Sequence, residues 1–254
     1  MVTGLPNRIT GDVRARLAEF GEIFVAFDDD ESGCLVTGLA NDAGKWCVKH
    51  AVNARGAASQ ARALAVHAVV EHDNLVAAVQ TIEGDAGPIV VYRWMNGQPL
   101  RHNPLMNELT LVQRLAAIEA VIDAHAMIND AGFVSIDLYD GNLLYDWRVH
   151  IIDVAEYRPI PFTLDADRTL GSSRFMAPEE FVRGATLDAR TTVFQLGRVA
   201  AVFFDPPQGQ DRASMPAALV PVVARATAPE SSDRFENART LLDAWRAAAP
   251  KPAD

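Results

Sequence analysis

The sequence predicts an α+β fold in which a sheet-rich N-terminal part precedes a mostly helical C-terminal part. Short apolar runs separated by turn residues dominate the first 95 residues, apolar residues at helical spacing dominate the rest, and the composition changes near residue 97. The 254 residues suit one domain with two lobes, residues 1–95 and 96–254. With 49% hydrophobic and 22% charged residues, the chain can form a packed core.

In the N-terminal part, turn signals between apolar runs predict the elements. A short helix is expected over residues 10–20. Strands are expected at 24–27, 34–40, 46–51 and 87–94. The turn NDAGK (41–45) joins two of these strands as a hairpin, and the alanine-rich stretch 58–72 predicts a helix.

In the C-terminal part, apolar periodicity predicts most of the structure. Leu111, Leu115, Ile118 and Ile122 recur at helical spacing within residues 107–129, and Gly132 ends that helix. The runs GNLLY and VHIID predict a strand hairpin. Further helices are expected at 189–204, 214–227 and 236–248.

Composition excludes several function classes. A net charge of −10 argues against nucleic acid as a partner, because phosphate binding needs a basic surface. The chain has neither an apolar run of membrane-spanning length nor an N-terminal apolar segment like that of a signal peptide. Cys34 and Cys47 are the only cysteines and form no CxxC, so we expect a reducing, cytoplasmic location.

Acids and a carboxamide follow short apolar runs in the middle of the chain. Asp137 lies five residues before Asn142, and Asp153 follows the predicted hairpin. Oxygen ligands on turns suit Mg²⁺. Phosphoryl transfer needs clamped phosphates, a held Mg²⁺ and an acid beside the attacking hydroxyl. Lys49, on a predicted strand of the other lobe, could supply the phosphate contact.

At these residues the chain resembles the protein kinase superfamily. Six motifs occur in the family's order over roughly residues 20–247. They are WCVK (46–49), SIDLYDGN (135–142), DVA (153–155), GSSRFMAPEE (171–180), TTVFQLG (191–197) and SSDRF (231–235). The resemblance implies a bilobal kinase-like fold with a small antiparallel-sheet N-lobe, a larger helical C-lobe, and ATP with Mg²⁺ in the cleft.

The resemblance also implies roles for individual residues. Asp137 orients the substrate hydroxyl as the catalytic base, and Lys49 contacts the α- and β-phosphates. Asn142 and Asp153 hold Mg²⁺, or Mn²⁺ in its place. The hinge residues Arg93, Trp94 and Met95 bind adenine through their backbone, and Tyr92 is the gatekeeper. The apolar side chains that sandwich the adenine base are those of Leu35, Cys47 and Leu144.

The chain departs from the family pattern at the phosphate loop. The glycine-rich loop is replaced by AFDDDESG (26–33), which keeps only Gly33. Residues 28–33 also resemble half of a calcium loop, but Leu39 stands where a bidentate glutamate is required. A solvated hairpin turn is therefore the favoured interpretation of the acidic stretch.

Further departures lie around the lysine and the catalytic loop. No acid stands where a helix glutamate should pair with Lys49, and Gln60 is the nearest polar residue. Ser135 and Ile136 replace the family's His-Arg, so the loop has no arginine to bind a phosphorylated segment. Thr192 replaces the aspartate that braces the loop, and Tyr139 stands where Ser/Thr kinases carry a lysine.

These observations favour a divergent bacterial Ser/Thr protein kinase that acts on an unidentified protein substrate. A pseudokinase, acting as a nucleotide-binding or scaffolding module, is the first alternative, because the glycine-rich loop and the helix glutamate are missing. A small-molecule phosphotransferase of the antibiotic-kinase type is the second alternative. The segment 171–180 and the SSDRF motif argue against it. The oligomeric state is not predicted.

Overall fold

The computed structural model describes residues 3–28, 32–100, 103–204 and 215–250. The chain divides into two compact units. The first comprises Met1–Glu71 and Val76–Asn96, and the second comprises His72–Leu75 and Gly97–Asp254. Helices and strands occur in both units, so the predicted α+β class is confirmed. The predicted boundary at residue 95 lies next to Asn96, whereas the assignment of 72–75 to the second unit was not foreseen.

A six-stranded sheet forms the body of the first unit, in the order β1-β5-β6-β4-β3-β2. Its strands are β1 (Arg8–Ile9), β2 (Glu22–Phe27), β3 (Cys34–Asn41), β4 (Gly44–Ala51), β5 (Ala78–Gly84) and β6 (Gly87–Arg93). The four predicted strands and the β3–β4 hairpin are present. The sheet is mixed and not purely antiparallel, because the two-residue β1 pairs parallel with β5.

Two helices pack with this sheet, and their starts are set by side-chain caps. Helix α1 (Val13–Leu17) begins after Asp12, whose carboxylate accepts from the Ala15 N–H at 3.1 Å. Helix α2 (Ala54–His67) begins after Asn53, which accepts from the Gly56 N–H at 3.0 Å. Helix α2 therefore begins four residues earlier than predicted. It also ends at His67, short of residue 72.

The two faces of the sheet bury different partners. Because side chains alternate along a strand, Trp46, Val48 and His50 share one face of β4, and Cys47 and Lys49 lie on the other. The first face belongs to an apolar core: Leu5, Ile9, Leu17, Leu39, Trp46, Val48, Ile82, Ile89 and Val91. Helix α2 contacts β4 and β6.

Helices dominate the second unit. They are α3 (Leu111–Asp130), α4 (Ala189–Phe204), α5 (Val220–Ala226) and α6 (Ala238–Ala248). Helix α3 packs against α4 and α6. It begins with a capping box between Thr110 and Gln113. The helices predicted at 107–129, 189–204 and 236–248 are confirmed, whereas α5 is shorter than the predicted 214–227, whose first residue lies outside the described ranges.

Short strands in the second unit hold its loops. They are β7 (Gln98–Pro99), β8 (Phe133–Val134), β9 (Leu143–Tyr145), β10 (Val149–Ile151), β11 (Arg158–Pro159), β12 (Phe162–Thr163) and β13 (Thr186–Leu187). The predicted hairpin is β9–β10, and β7 pairs with β9 at its other edge. The pair β8–β11 brackets the chain from residue 135 to 157, which carries the predicted catalytic and metal-binding residues.

A buried ion pair joins Arg234 to Glu179 in the second unit. Two guanidinium nitrogens of Arg234 lie 2.7 and 2.9 Å from the two carboxylate oxygens of Glu179. Arg234 also donates to the carbonyls of Ala228 and Pro229, so its buried charge is fully engaged. Burial alone would raise the pKa of Glu179, but the hydrogen bonds and charge of Arg234, together with hydrogen bonds from the Glu179 backbone and Thr191, outweigh burial and lower that pKa.

We expect Arg234→Met to lower the free energy of unfolding by about 3–5 kcal/mol, because it leaves the Glu179 carboxylate buried without its cation. Arg239→Met is the matched control. Its half-exposed pair with Asp130, at 2.8 Å, should cost at most about 1 kcal/mol. Urea denaturation of both variants measures the difference, and equal losses would refute the structural role of the pair.

The effect of Arg234→Met should also depend on pH. Because folding lowers the pKa of Glu179 below 4.5, the ion pair stabilises the fold above that pH. Its contribution is lost as the pH falls through the folded pKa, so the wild type and the variant should become closer in stability in acid.

Candidate active site

The loop that carries Asp137 is anchored on both sides by apolar side chains. Ile136 and Leu138 are 3% and 2% exposed, whereas Asp137 between them is only half-buried. The backbone of Asp137 has a φ of +66°, in the left-handed region that non-glycine residues seldom adopt. The two buried neighbours hold this unusual backbone in place, which is the kind of local strain that clusters at functional sites.

Asn142 connects the Asp137 loop to the strand that precedes Asp153. Its amide nitrogen donates to the backbone carbonyl of Asp137 at 2.9 Å. Its own carbonyl accepts from the Ile152 N–H at 3.0 Å, one residue before Asp153. Asp153 is exposed, has a φ of +58°, and accepts from the Ala155 N–H at 3.3 Å. Asp137, Asn142 and Asp153 are therefore held together within the second unit.

A buried Tyr157–His125 pair lies near the two acids. Burial, and then the negative charges of Asp137 and Asp153, raise the pKa of Tyr157. The Nδ1 atom of His125 lies 2.7 Å from the Val121 carbonyl and must donate to it, so Nε2 accepts from the Tyr157 hydroxyl at 2.8 Å. Burial lowers the pKa of His125 to about 4, so both rings are neutral near pH 7.

No local pattern in the sequence marks the Tyr157–His125 pair. A tyrosine four residues after Asp153, in an apolar run, is indistinguishable from an ordinary core residue. His125, within an apolar helix, is likewise indistinguishable from an ordinary helix residue. Only the fold brings the two rings together, 32 residues apart in the chain.

Helix α4 braces the start of the loop that carries Asp137 with uncharged side chains. The Thr192 hydroxyl accepts from the Ser135 N–H at 3.0 Å and from the Asn129 amide at 3.2 Å. The Ser135 hydroxyl in turn donates to the Gln195 side-chain carbonyl at 2.6 Å. Thr192 therefore supplies an acceptor to the loop backbone without placing a charge in the core.

The segment that ends in Ala177-Pro178-Glu179 contacts Asp137 directly at Gly171. Gly171 has a φ of +108°, and a Cβ there would overlap the Asp137 carboxylate and lie 3.1 Å from its Cα. Glycine is therefore required at this position for backbone conformation and for space. The segment and the Asp137 side chain are in van der Waals contact across this glycine.

Lys49 lies on β4, an interior strand of the first unit's sheet. Its Cα partners are Val36 on β3 and Val90 on β6, and its side chain is half-buried. Cys47 and Tyr92 are Cα partners of one another and lie on the same sheet face as Lys49. The Tyr92 ring lies 5.7 Å from the ring of His67 on α2. The predicted phosphate-binding lysine and gatekeeper thus share one face.

Leu35 and Cys47, both predicted to contact the adenine base, lie on opposite faces of the sheet. The β3–β4 register is continuous and pairs Leu35 with His50, on the face opposite Cys47 and Lys49. Because side chains alternate with a period of two, Val36 occupies the Cys47 face instead. A shift of one residue along a strand reverses the face on which a side chain lies. Leu144, the third residue of the predicted apolar set, lies half-buried on β9 of the second unit.

The predicted hinge continues β6 beyond its last residue, Arg93. The Arg93 guanidinium lies 5.9 Å from the centre of the Trp46 ring, and the Trp94 N–H donates to the Lys45 carbonyl at 3.0 Å. The Trp94 ring meets Phe24 edge-on at 4.8 Å. Met95 follows, half-buried. The contacts with Lys45, Trp46 and Phe24 thus hold the backbone of residues 93–95 in place.

The acidic turn that replaces the glycine-rich loop is described only in part, since residues 29–31 lie outside the described ranges. Asp28 forms an ion pair with Arg14 of α1, which lowers the pKa of Asp28. Gly33 has a φ of +75°, and a Cβ there would lie 2.6 Å from the Gly56 nitrogen. The close approach of α2 explains why this one glycine is retained.

Gln60, predicted to stand near Lys49, is buried on α2. Its amide nitrogen lies 3.7 Å from the sulfur of Cys34, to which it donates. Within the described part of the chain, its side-chain oxygen is buried without a hydrogen-bond partner. An amide at this position holds β3 and α2 together but carries no charge to balance a lysine.

Comparison with descriptions of known protein families, and with curated proteins, gives no match to this sequence. Across the described residues, none of the helices is both long enough and apolar enough to span a bilayer. The same residues contain no group of three or more His, Cys, Asp or Glu side chains placed to hold a metal ion.

Gly171→Ala should destabilise the protein more than Gly132→Ala does. Both glycines have positive φ, +108° and +86°, but a Cβ at Gly132 meets nothing within 4 Å. Backbone strain alone should cost about 1–2 kcal/mol at Gly132. Contact with Asp137 should add about 1 kcal/mol or more at Gly171. Chemical denaturation of the two variants measures the difference, and equal losses would contradict the contact.

Proposed function

We propose that this protein is an ATP- and Mg²⁺-dependent phosphotransferase, and specifically a divergent Ser/Thr protein kinase that acts on a protein hydroxyl. One observation carries the proposal. The hydrogen bonds of Asn142 to the Asp137 carbonyl and to the Ile152 N–H draw Asp137, Asn142 and Asp153 together. The kinase resemblance assigns catalytic or metal-binding roles to these same three residues.

The donor chemistry of Asn142 and Asp153 fits Mg²⁺. One carboxylate and one carboxamide supply the hard oxygen ligands that Mg²⁺ prefers, and this ion usually takes only one or two ligands from protein. The amide nitrogen of Asn142 is engaged with the Asp137 carbonyl, which fixes the orientation of the amide. Bound Mg²⁺ would neutralise charge on the nucleotide phosphates.

Asp137 is suited to receive a proton from an attacking hydroxyl. Its backbone is held by Ile136, Leu138 and Asn142, so its carboxylate can orient the hydroxyl without reorganising. As the hydroxyl oxygen bonds to the γ-phosphorus, the bond to the β,γ-bridging oxygen breaks. The hydroxyl proton passes to Asp137, and ADP leaves with the bridging oxygen. Lys49 would contribute a cation to the α- and β-phosphates.

The pseudokinase alternative is favoured by a specific observation in the first unit. Gln60 occupies α2 as a buried amide where a carboxylate would pair with the lysine. Loss of that carboxylate weakens lysine positioning and nucleotide affinity without affecting Asp137, Asn142 or Asp153. Nucleotide binding and phosphoryl transfer therefore have to be measured separately.

The wild type should label itself with γ-labelled ATP in Mg²⁺ or Mn²⁺, and Asp137→Asn should reduce labelling about 100-fold or more. Asp153→Asn should do the same, because asparagine tolerates the left-handed backbone but lacks the ligand charge. Asp130→Asn, at an exposed pair with Arg239, is the matched control and should label normally.

Thermal shift with ATP separates the alternatives. Mg²⁺–ATP should raise the melting temperature of the wild type and of Asp137→Asn but not of Asp153→Asn. A shift without labelling in the wild type would refute autophosphorylation and leave the pseudokinase and the small-molecule phosphotransferase as the two alternatives. Absence of both would refute nucleotide chemistry altogether.

Phosphatase-treated protein should retain its activity. Ile136 is buried in an apolar cluster and cannot bind a phosphate. Thr169 is 5% exposed and its hydroxyl is hydrogen-bonded at 2.9 Å to Glu180. The initial rate before and after treatment, with intact mass to confirm that phosphate was removed, measures this. A treated sample that becomes inactive and recovers on rephosphorylation would overturn the prediction.

A further inference from the structure

One buried carboxylate ties together the two ends of the segment 169–177. Oε1 of Glu180 accepts from the Thr169 hydroxyl at 2.9 Å, and Oε2 accepts from the Ala177 N–H at 2.7 Å. The Thr169 N–H also donates to the Glu180 backbone carbonyl at 3.0 Å. Glu180 is 0% exposed. A carboxylate buried this deeply is stable only because several donors surround it.

The same carboxylate reaches the catalytic loop through one intermediate side chain. The Gln195 amide nitrogen lies 3.0 Å from both oxygens of Glu180, and the Gln195 carbonyl accepts from the Ser135 hydroxyl at 2.6 Å. Gln195 and Ser135 are buried. Ser135 lies two residues before Asp137. A hydrogen-bonded path therefore runs inside the second unit from the segment 169–177 to the loop of Asp137.

The direction of each hydrogen bond along this path is fixed by the charge of Glu180. An ionised carboxylate only accepts, so Gln195 must present its nitrogen to Glu180 and its oxygen to Ser135. A protonated carboxyl carries a donor as well as an acceptor and therefore also permits the flipped amide. If the Gln195 amide flipped, its NH₂ group would face the Ser135 hydroxyl. That hydroxyl could then accept a hydrogen bond from Gln195 but could no longer donate one to it. The direction of the Ser135 hydroxyl therefore depends on whether Glu180 is ionised.

We propose that Glu180 is a positioning residue for the proposed phosphotransfer. Its buried carboxylate, acting through Gln195 on Ser135, couples the conformation of the segment 169–177 to that of the loop that carries Asp137. This role rests on the proposed function, but the coupling itself is a property of the folded chain. The Glu180 carboxylate thereby orders the segment 169–177 from inside the fold. The loop that carries Asp137 has no arginine that could order the segment by binding a phosphate.

The charges that face Glu180 predict a pH dependence. Burial raises the pKa of Glu180 to about 7, while the hydrogen bonds from Ala177, Gln195 and Thr169 oppose the rise. The neighbouring Glu179 adds a smaller increase, and its own charge is paired with Arg234. As pH rises through about 7, Glu180 becomes ionised, the coupled arrangement forms, and the catalytic rate should rise.

Stability should change in the opposite direction over the same range. Between pH 4.5, the ordinary pKa of the group, and about 7, the folded protein binds the Glu180 proton more tightly than the unfolded chain does. The contribution of Glu180 to the free energy of unfolding therefore decreases as pH rises through this window.

Hydrogen exchange of the full chain tests the coupling without requiring activity. Ser135→Ala removes only the far hydroxyl, yet exchange in 169–177 should increase about tenfold, because coupling between two sites is reciprocal. Glu180→Gln should similarly increase exchange in 135–142. Thr191→Val is the matched control, since it removes one hydrogen bond of 2.9 Å to the adjacent Glu179 and should change neither segment. Effects confined to the mutated segment would overturn the proposal.

A second link could also couple the segments, because Arg174 lies 3.6 Å from the buried Asp140. Ser135→Ala leaves that ion pair and the contact between Gly171 and Asp137 intact, so the hydrogen bond to Gln195 is the link that this variant removes. If Ser135→Ala has no effect on 169–177, the role of Gln195 is refuted.

Kinetics distinguish positioning from stability. Glu180→Gln should lower kcat about tenfold with KM for ATP unchanged, and the rise of kcat through about pH 7 should disappear. A wild-type kcat and pH profile in Glu180→Gln would overturn the positioning role. Coupled exchange in a protein that transfers no phosphate would support the coupling and would refute the proposed function alone.

Discussion

The hydrogen bond from the Asn142 amide to the Asp137 carbonyl is the constraint on which the site depends. It closes the loop from Asp137 to Asn142, whose first acid has a φ of +66°, a conformation that would not persist without support. The buried side chains of Ile136 and Leu138 anchor the backbone on either side of Asp137. With the backbone carbonyl of Asn142 bonded to Ile152, the position of Asp153 follows from the same residue. Loss of the Asn142 side chain would therefore disturb the Asp137 backbone as well as a metal ligand.

Uncharged polar groups support this loop where charges would be costly to bury. Thr192 accepts the Ser135 N–H, and Gln195 accepts the Ser135 hydroxyl. A hydroxyl and an amide satisfy these donors with a smaller desolvation penalty than a carboxylate would incur. The one carboxylate that is retained in this cluster, Glu180, is surrounded by three donor groups. The core therefore orients the loop through hydrogen bonds whose directions are fixed, with a single titratable group among them.

Local patterns in the sequence predicted the elements that have strong periodicity or turn signals. The hairpins β3–β4 and β9–β10 and helices α3, α4 and α6 follow from alternation, caps and helical spacing. Strand β1 has two residues and is defined only by its partner β5, so no local pattern marks it. The face on which Leu35 lies could not be predicted, because the register of β3 is decided by its pairing with β4.

The long-range polar contacts of the site could not be predicted from sequence for a related reason. Thr169, Glu180, Gln195 and Ser135 are separated by 11 to 60 residues, and each is common on exposed turns and helix surfaces. A glutamate next to Glu179 would normally be interpreted as a second surface acid. Its burial follows from the turn at Pro178–Phe181, which directs Glu179 to Arg234 and Glu180 inwards to Gln195. Two adjacent acids thus acquire opposite pKa shifts, one lowered by a cation and one raised by burial.

Because their pKa values shift in opposite directions, Glu179 and Glu180 have different roles, which the sequence motif alone does not distinguish. Glu179, ionised and paired with Arg234, holds the segment to the helical body at any pH above its lowered pKa. Among the residues that the structure describes, Glu180 accepts hydrogen bonds from the neutral groups of Thr169, Ala177 and Gln195 and from no cation. Dipoles reorient when a carboxylate takes up a proton, whereas a guanidinium does not. The side chains around Glu180 can therefore reorient when Glu180 gains or loses a proton. Their hydrogen bonds lead through Gln195 to Ser135, two residues before Asp137.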